Sequence, residues 1–458
     1  MTDFLLLDFG TTSTKSVRVD TNTGTLSQPE AYSALANATD RAGRSEFDLQ
    51  QVHERFEQIC AYHYAQHPFE GIVLCSEMHG FAVLNEYDHP LTTYVSWKDE
   101  RSLETLRGQC AFDDVLDASG DAFKDLTGMK PRPGFAPMNF LHIARECSLP
   151  DAVRIVDLPG WLCRASGHAT GYPHPTMLAG LALYDVHHRR LAHQLVEDLQ
   201  QLSGVKIHLD KPTDALEVAG YWAHSAGRVP IYVGIGDHQC SLLGAGLVER
   251  HTLSINLGTG AQVSTLEDKW TPQEAETRPY FSGQMLNTIT HIPGGRALAE
   301  HVGFLSELSG DTDAIWQLLA AHRIDEIKTS SLQFNLSLFS GARGYTDGGS
   351  IRNITEGKWT LNNYLCSLLR AFSEQYIDIL QLFDPTQQMR EVLLSGGIAR
   401  RLPIVRQLIE AETPYATLGA TQVDESLLGL RAMAKAAHEK IDLFQAQSAL
   451  GRDIASID

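Results

Sequence analysis

Phe4-Leu-Leu-Leu-Asp8-Phe-Gly10-Thr11-Thr12-Ser13-Thr14-Lys15 is the stretch on which the fold turns. A short apolar run ends at an acid, bends through a glycine ringed by hydroxyls, and resumes with the β-favouring Val17 and Val19. That pattern predicts a hairpin whose turn is polar. Much later the figure returns: Leu253-Ser-Ile-Asn256 runs into Leu257-Gly258-Thr259-Gly260 and resumes at Val263 and Thr265. Two such hairpins predict two related halves facing one ligand. Around them the chain alternates strand and helix signals. A helix is expected over 50–66, strands over 71–75 and 154–157, and a helix around Trp161. A strand over 230–236 runs into a helix opening at Asp237, and helical spacing covers 361–382. A strand over 392–394 ends in Ser395-Gly396-Gly397 before another helix. The class is therefore α/β. Residues 130–137 and 340–350 read as loops, and the domain boundary falls near 242–247, giving domains over 1–244 and 245–458.

Length and composition agree with two buried cores: 458 residues, 43% hydrophobic and 20% charged. The 37 basic against 56 acidic residues leave a net charge of -19, which repels phosphate backbones and argues against nucleic acid as partner. A nucleotide would need local compensation from Lys or Arg, backbone amides or a divalent cation. Cys60, Cys75, Cys110, Cys147, Cys163, Cys240 and Cys366 are widely spaced and never form C-x-x-C. Neither a disulfide framework nor a zinc site is expected, and a reducing cytoplasm fits. No apolar run suggests a membrane segment, and the histidines lack the H-E-x-x-H pattern of a metal helix. The expected partners are small molecules, and the chain is expected to act as a monomer or homodimer.

A phosphate-binding turn needs backbone N–H groups aimed inward, which glycine permits by leaving no side chain in the way. Gly10, Thr11, Thr12, Ser13 and Lys15 offer that geometry with hydroxyls and a cation; an ordinary polar hairpin is the plainer reading. Asp8, just before the turn, is placed to hold Mg²⁺, which favours a few carboxylates together with ligand phosphates. There is no G-x-x-x-x-G-K-[ST] motif, and Gln239 stands where a dinucleotide fingerprint after Gly234 and Gly236 would want glycine. Asp237 sits at a strand-to-helix junction. It reads either as an N-cap or as the carboxylate that takes a proton from a hydroxyl attacking a γ-phosphate. Met78, His79, Trp97, Asp99 and Arg101 follow the strand over 71–75 and offer apolar walls and polar groups for a sugar; an internal Asp99 to Arg101 ion pair is the alternative. Gly396 and Gly397 give a flat approach at a strand end, suited to an adenine or ribose face, or simply turn the chain.

Taken in order, D-F-G-T-T-S-T-K, E-M-H-G, W-K-D-E-R, G-I-G-D-H-Q, L-G-T-G and S-G-G-I resemble the FGGY carbohydrate kinases along almost the whole chain. The resemblance implies two ribonuclease-H-like, actin-like ATPase domains around a central cleft. It places sugar mainly on the N-terminal domain and ATP on the C-terminal one, with Mg²⁺ as cofactor. It implies Asp237 as catalytic base, Asp8 as metal-site carboxylate, and Thr11, Thr12 and Lys15 on the first phosphate turn. Gly258 and Thr259 fall on the second turn, Met78, His79, Trp97 and Asp99 on the sugar side, and Gly396 and Gly397 on the adenosine side.

Within the family the C-terminal half is most similar to sedoheptulokinases, through Gly294-Gly-Arg-Ala-Leu-Ala-Glu-His-Val302, Gly341-Ala-Arg-Gly and Gly349-Ser-Ile-Arg-Asn-Ile-Thr355. Glu77 where many relatives have Gln, Arg296 where Asn is common, His238-Gln239 and Gly260 are departures. The expected activity is ATP-dependent phosphorylation of a ketose, sedoheptulose by this resemblance. Xylulose, another ketopentose or a polyol is the alternative acceptor, and a non-catalytic actin-like ATP-binding switch is the alternative of another class.

Overall fold

The computed structural model describes residues 3–120, 122–167, 172–225, 227–267, 274–338 and 348–452. Most of the expected loop over 340–350, with Gly341-Ala-Arg-Gly, lies outside them. The chain divides into two compact units: one of 1–244, 268–285 and 426–458, the other of 245–267 and 286–425.

The first unit is built on a twisted mixed sheet of β1 (Asp3–Phe9), β2 (Ser13–Asp20), β3 (Glu30–Ser33), β4 (Gly71–Ser76), β5 (Val218–His224), β6 (Gly227–Tyr232) and β7 (Ile235–Gly236). Its order is β5-β6-β4-β1-β2-β3, with β7 also paired to β4. Every residue of β1 is buried, as a strand covered on both faces requires. β1 and β2 form the expected hairpin, with Asp8 opposite Lys15. Helix α1 (Leu49–Gln66) is capped by Asp48, whose side chain accepts from the Gln50 and Gln51 amides. Its buried stripe of Val52, Phe56, Ile59 and Cys60 joins Leu5, Leu7, Phe9, Ile72 and Leu74 in one core. A second core gathers Phe123, Phe135, Phe140 and Leu178 around the small sheet of 82–84, 152–156 and 206–208. The strand expected over 230–236 is split into β6 and β7, the Val233 amide continuing the β5 pairing by bonding Glu217 O at 2.9 Å. After β7 comes α2 (Asp237–Gly244).

The second unit repeats the theme. Its sheet runs β10-β9-β8-β11-β12, where β8 is Thr252–Leu257, β9 Gly260–Glu267, β10 Met285–Pro293, β11 Glu391–Ser395 and β12 Ala416–Leu418. β8 pairs antiparallel with β9 and parallel with β11, Asn256 lying beside Ser395. β1 likewise pairs antiparallel with β2 and parallel with β4, Asp8 lying beside Cys75. The two hairpins are thus the same topological feature in each unit. Helix α3 (Gly295–Ser309) follows β10. Helix α4 (Leu361–Phe383) buries Leu365, Leu368, Leu369, Phe372 and Tyr376 at helical spacing. Helix α5 (Glu425–Glu439) begins where the chain passes back to the first unit. All seven cysteines are unpaired. Among the described residues no helix is long and apolar enough to cross a membrane.

Candidate active site

Three parallel neighbours, β1, β4 and β7, end at the same level. Asp8 pairs with Cys75 and Phe9 with Ser76, while Ile235 pairs with Cys75 and Gly236 with Ser76. The residues at or just beyond those ends are Asp8, Glu77 and Asp237, so the register alone sets three acids along one edge. Ligands of open α/β sheets gather at the carboxyl ends of strands. Asp237 keeps part of its side chain open to solvent, yet protein surrounds its carboxyl group. Burial first, then the charges of Asp8 and Glu77, push it up from 3.8 to about 7, against a 2.7 Å bond from the His238 amide. A carboxylate so tuned is a usable base near neutrality. Glu77 is buried with neither carboxyl oxygen hydrogen-bonded. Burial raises its pKa, tempered by the hydroxyls of Thr11, Ser96 and Tyr94. His238 is held down to about 3 by burial and by Arg278, so it stands neutral beside Asp237.

Asp8 is fixed from several directions. Ser426 Oγ donates to its Oδ2 at 2.6 Å, Lys15 Nζ lies 3.6 Å from that oxygen, and Cys75 Sγ is 3.5 Å from Oδ1. The turn itself is closed by the Gly10 amide donating to Ser13 O at 3.1 Å. Thr12 is exposed, and Gly10, Thr11, Ser13 and Lys15 are partly so.

The turn is joined to the loop beyond β4. Trp97, 38% exposed, donates from Nε1 to Thr11 Oγ1 at 3.0 Å. His79 adopts the left-handed region, φ 74°, rare for a side chain of its size and common where a site holds strain. Its Nδ1 lies 2.5 Å from Gly180 O and its ring 5.0 Å from that of Phe135. Gly134, one residue before Phe135, lets the chain pass Trp97 so closely that a Cβ would lie 2.0 Å from its carbonyl oxygen. Met78 is buried. Asp99 and Arg101 form the internal pair that their spacing allowed. Asp99, 0% exposed, accepts from Arg101 Nε and Nη2 at 2.8 Å, from the Arg101 amide at 3.0 Å and from Ser45 N at 2.8 Å. Arg101 also reaches Glu46 at 2.5 Å. Trp97 is thus partly exposed on a loop that Asp99 and Arg101 pin from beneath, while the His79 ring packs inward on Gly180 and Phe135.

In the second unit the turn of Gly258 and Thr259 is bracketed by two helix starts. The Gly295 amide donates to Gly258 O at 2.8 Å and the Arg296 amide to Thr259 O at 2.9 Å, which docks the start of α3 on the turn. On the other side, Gly396 has φ 91° and a Cβ there would lie 2.6 Å from Leu257 O. Gly397 beside it is exposed, with open space where a side chain would stand. Glu425 Oε1 accepts from the Gly396 amide at 3.3 Å and from Arg400 at 3.0 Å. The structure thus brings Gly258, Thr259, Gly396 and Gly397 together in one unit. It gathers Asp8, the Gly10 turn, His79, Trp97 and Asp237 in the other.

Residues 4–139 match the N-terminal domain of the FGGY family of carbohydrate kinases. Those residues make up less than a third of the chain. Xylulose kinase of Staphylococcus xylosus is 20% identical over 290 residues, which span 60% of this chain and only 57% of that enzyme. Solved structures share the whole fold. Ligand-bound xylulose kinase from Lactobacillus acidophilus aligns with TM-score 0.81 at 16% identity, over 98% of this chain and 92% of that one. Glycerol kinase of Plasmodium falciparum with ADP gives TM-score 0.81 at 14% identity, over 100% and 93%. The fold is accordingly the two-domain actin-like ATPase fold of the FGGY kinases.

No three His, Cys, Asp or Glu side chains among the described residues form a ready metal cage. Asp8 offers a single fixed carboxylate, and this donor set fits Mg²⁺ held mainly by phosphate oxygens and water. The sedoheptulokinase-like stretch opening at Gly294 packs on the Gly258 turn in the second unit. The proteins it resembles include xylulose, gluconate and glycerol kinases, so the likeness is to FGGY carbohydrate kinases and not specifically to sedoheptulokinase. Sequence reasoning treated Glu77 as a departure in a motif and left it out of the site, although it directly follows a strand end. Ser426 carried no local signal, since it meets Asp8 across 418 positions.

Proposed function

We propose that the chain is an ATP-dependent kinase that transfers the γ-phosphoryl group to a hydroxyl of a ketose. The observation that supports it most is the placement of Asp237: a protein-surrounded carboxyl on a partly open residue, raised to about 7, at the edge that also carries Asp8 and the Gly10 turn. The acceptor sits against Trp97 and His79, with Met78 behind them and Asp99 and Arg101 holding their loop. Asp237 accepts the proton of the attacking hydroxyl as the oxygen bonds to the γ-phosphorus and the bond from that phosphorus to the bridging oxygen breaks, releasing ADP. The amides and hydroxyls from Gly10 to Ser13, with Lys15, neutralise the phosphoryl oxygens. Gly258 and Thr259 hold nucleotide phosphates on the second unit, and Gly396 and Gly397 give its adenosine a flat seat. Mg²⁺ bound through Asp8 would supply further charge neutralisation to the phosphates.

For the acceptor, xylulose comes first, because the curated relative and several solved neighbours are xylulose kinases. Sedoheptulose is second, on the sequence likeness of 294–302 and 349–355. A coupled ADP-release assay with a panel of ketoses and polyols tests both. ADP release strictly dependent on a ketose is expected. ATP hydrolysis indifferent to sugar, or none with any acceptor, would instead mark a nucleotide switch of the same fold.

A further inference from the structure

Behind the Gly10 turn, within the first unit, lies a cleft of about 470 Å³ counted to its open mouth. That is the size of a small-ligand pocket. Phe9 of β1, Val52 of α1 and Leu158 at the start of the helix Leu158–Ala165 give it a buried apolar floor. Leu35 and Phe47, both partly exposed, continue the apolar wall towards solvent. Asp8, Met78, His79, Trp97 and Asp237 are not among its lining residues, so it lies apart from the groups assigned above to the acceptor.

Two buried polar side chains are set into this apolar wall. Glu77 is 4% exposed and Tyr94 1%. Neither Glu77 carboxyl oxygen has a hydrogen-bond partner among the described residues, and nor does the Tyr94 hydroxyl. The Tyr94 hydroxyl nonetheless lies near enough to Glu77 to draw its pKa down, so the three oxygens are neighbours. Packing holds the phenol where it is: a Cβ at Gly80 would lie 2.2 Å from Tyr94 Oη. Polar atoms buried without partners are costly, and a ligand that pairs them recovers that cost. Three neighbouring acceptors call for three donors, which a primary ammonium group carries while accepting none. Arg55 also lines the cleft, but its guanidinium is engaged elsewhere. Its Nη1 donates to Ser33 O at 3.0 Å, and the group lies 5.7 Å from the centre of the Tyr32 ring.

We infer that this cleft is a binding site for a small primary amine, with the ammonium group on Glu77 and Tyr94 and a short branched body on Phe9, Val52 and Leu158. The site is formed by the first unit alone and does not rest on the kinase reading.

The test uses three probes of one shape, isopentylamine, isopentanol and isovalerate, in titration calorimetry of the whole protein. The parent is expected to bind the amine about 10- to 100-fold more tightly than the alcohol, the usual worth of hydrogen bonds to a charged group, and the carboxylate least. Glu77→Gln should lose the preference for the amine while its affinity for the alcohol changes little. Val52→Phe, which fills the floor, should weaken amine and alcohol alike, and saturating xylulose should leave the amine's affinity unchanged. Equal binding of amine and alcohol by the parent, or no binding of the amine at millimolar concentration, would overturn the inference. So would a Glu77→Gln variant that keeps the preference, or displacement of the amine by xylulose, which would make the cleft part of the acceptor site. Thermal melting shows whether each variant is folded, and the comparison of probes on the parent needs no variant. A protein that binds the amine in this way but phosphorylates no sugar would refute the kinase reading alone, so the two ideas fail separately.

Discussion

Replacing Asp237 by Asn tests both the chemistry and the electrostatics of the edge formed by β1, β4 and β7. The amide is nearly isosteric with the protonated acid but cannot accept a proton, so sugar phosphorylation should fall by about 10²- to 10⁴-fold. Binding of ADP should be largely kept. Stability moves the other way. The folded protein keeps this carboxyl protonated up to about 7, whereas the ordinary value is 3.8. Between those values the unfolded chain has released a proton that the native state retains, so stability is lost as pH rises through the window. Holding the charge in place costs the native state at most about 4 kcal/mol above the window, an upper bound because part of the side chain meets water. Asp237→Asn removes that cost. Its melting temperature should match the parent near pH 4 and exceed it progressively towards pH 8. Turnover close to the parent's would refute the base assignment. A difference in melting temperature that does not change with pH would refute the raised carboxyl.

Glu77→Gln removes one of the charges that hold Asp237 up, so the acid limb of the kcat/KM profile should shift to lower pH; a limb in the parent's place would show that Glu77 does not act on Asp237. Gly396→Ala forces a side chain onto φ 91° against Leu257 O. It should cost about 1–3 kcal/mol of stability and weaken ADP binding, read by thermal melting with and without ADP. Asp99→Ala leaves Arg101 buried with Glu46 alone, and losing one partner of a buried pair costs about 3–5 kcal/mol. A large fall in melting temperature is expected. An unchanged melting temperature with a raised sugar KM would make Asp99 a direct sugar contact.

Much of this fold was written in local pattern. The apolar run before Asp8, in a strand buried throughout, and the alternating Leu253, Ile255 and Leu257 before Gly258 each announced a central hairpin. The helices over 50–66 and 361–382 were legible from the spacing of their buried residues. What local pattern cannot carry is contact across the chain. Ser426 meets Asp8, and Glu276 meets Arg132, through returns of the chain that no periodicity encodes. The Asp99 and Arg101 pair shows the same limit from the other side. Charged residues in a motif looked free to meet a ligand, yet burial left them satisfying one another, and spacing alone does not report burial.

The most direct measurement follows the phosphoryl group itself. The protein is incubated with ATP whose γ-phosphoryl group carries heavy oxygen and with xylulose and sedoheptulose in turn, and the labelled product is located by the isotope shift in phosphorus NMR. The account predicts label on a hydroxyl of the ketose, formed by the parent and not by Asp237→Asn. Label appearing only as inorganic phosphate, at the same rate with or without sugar, would contradict it.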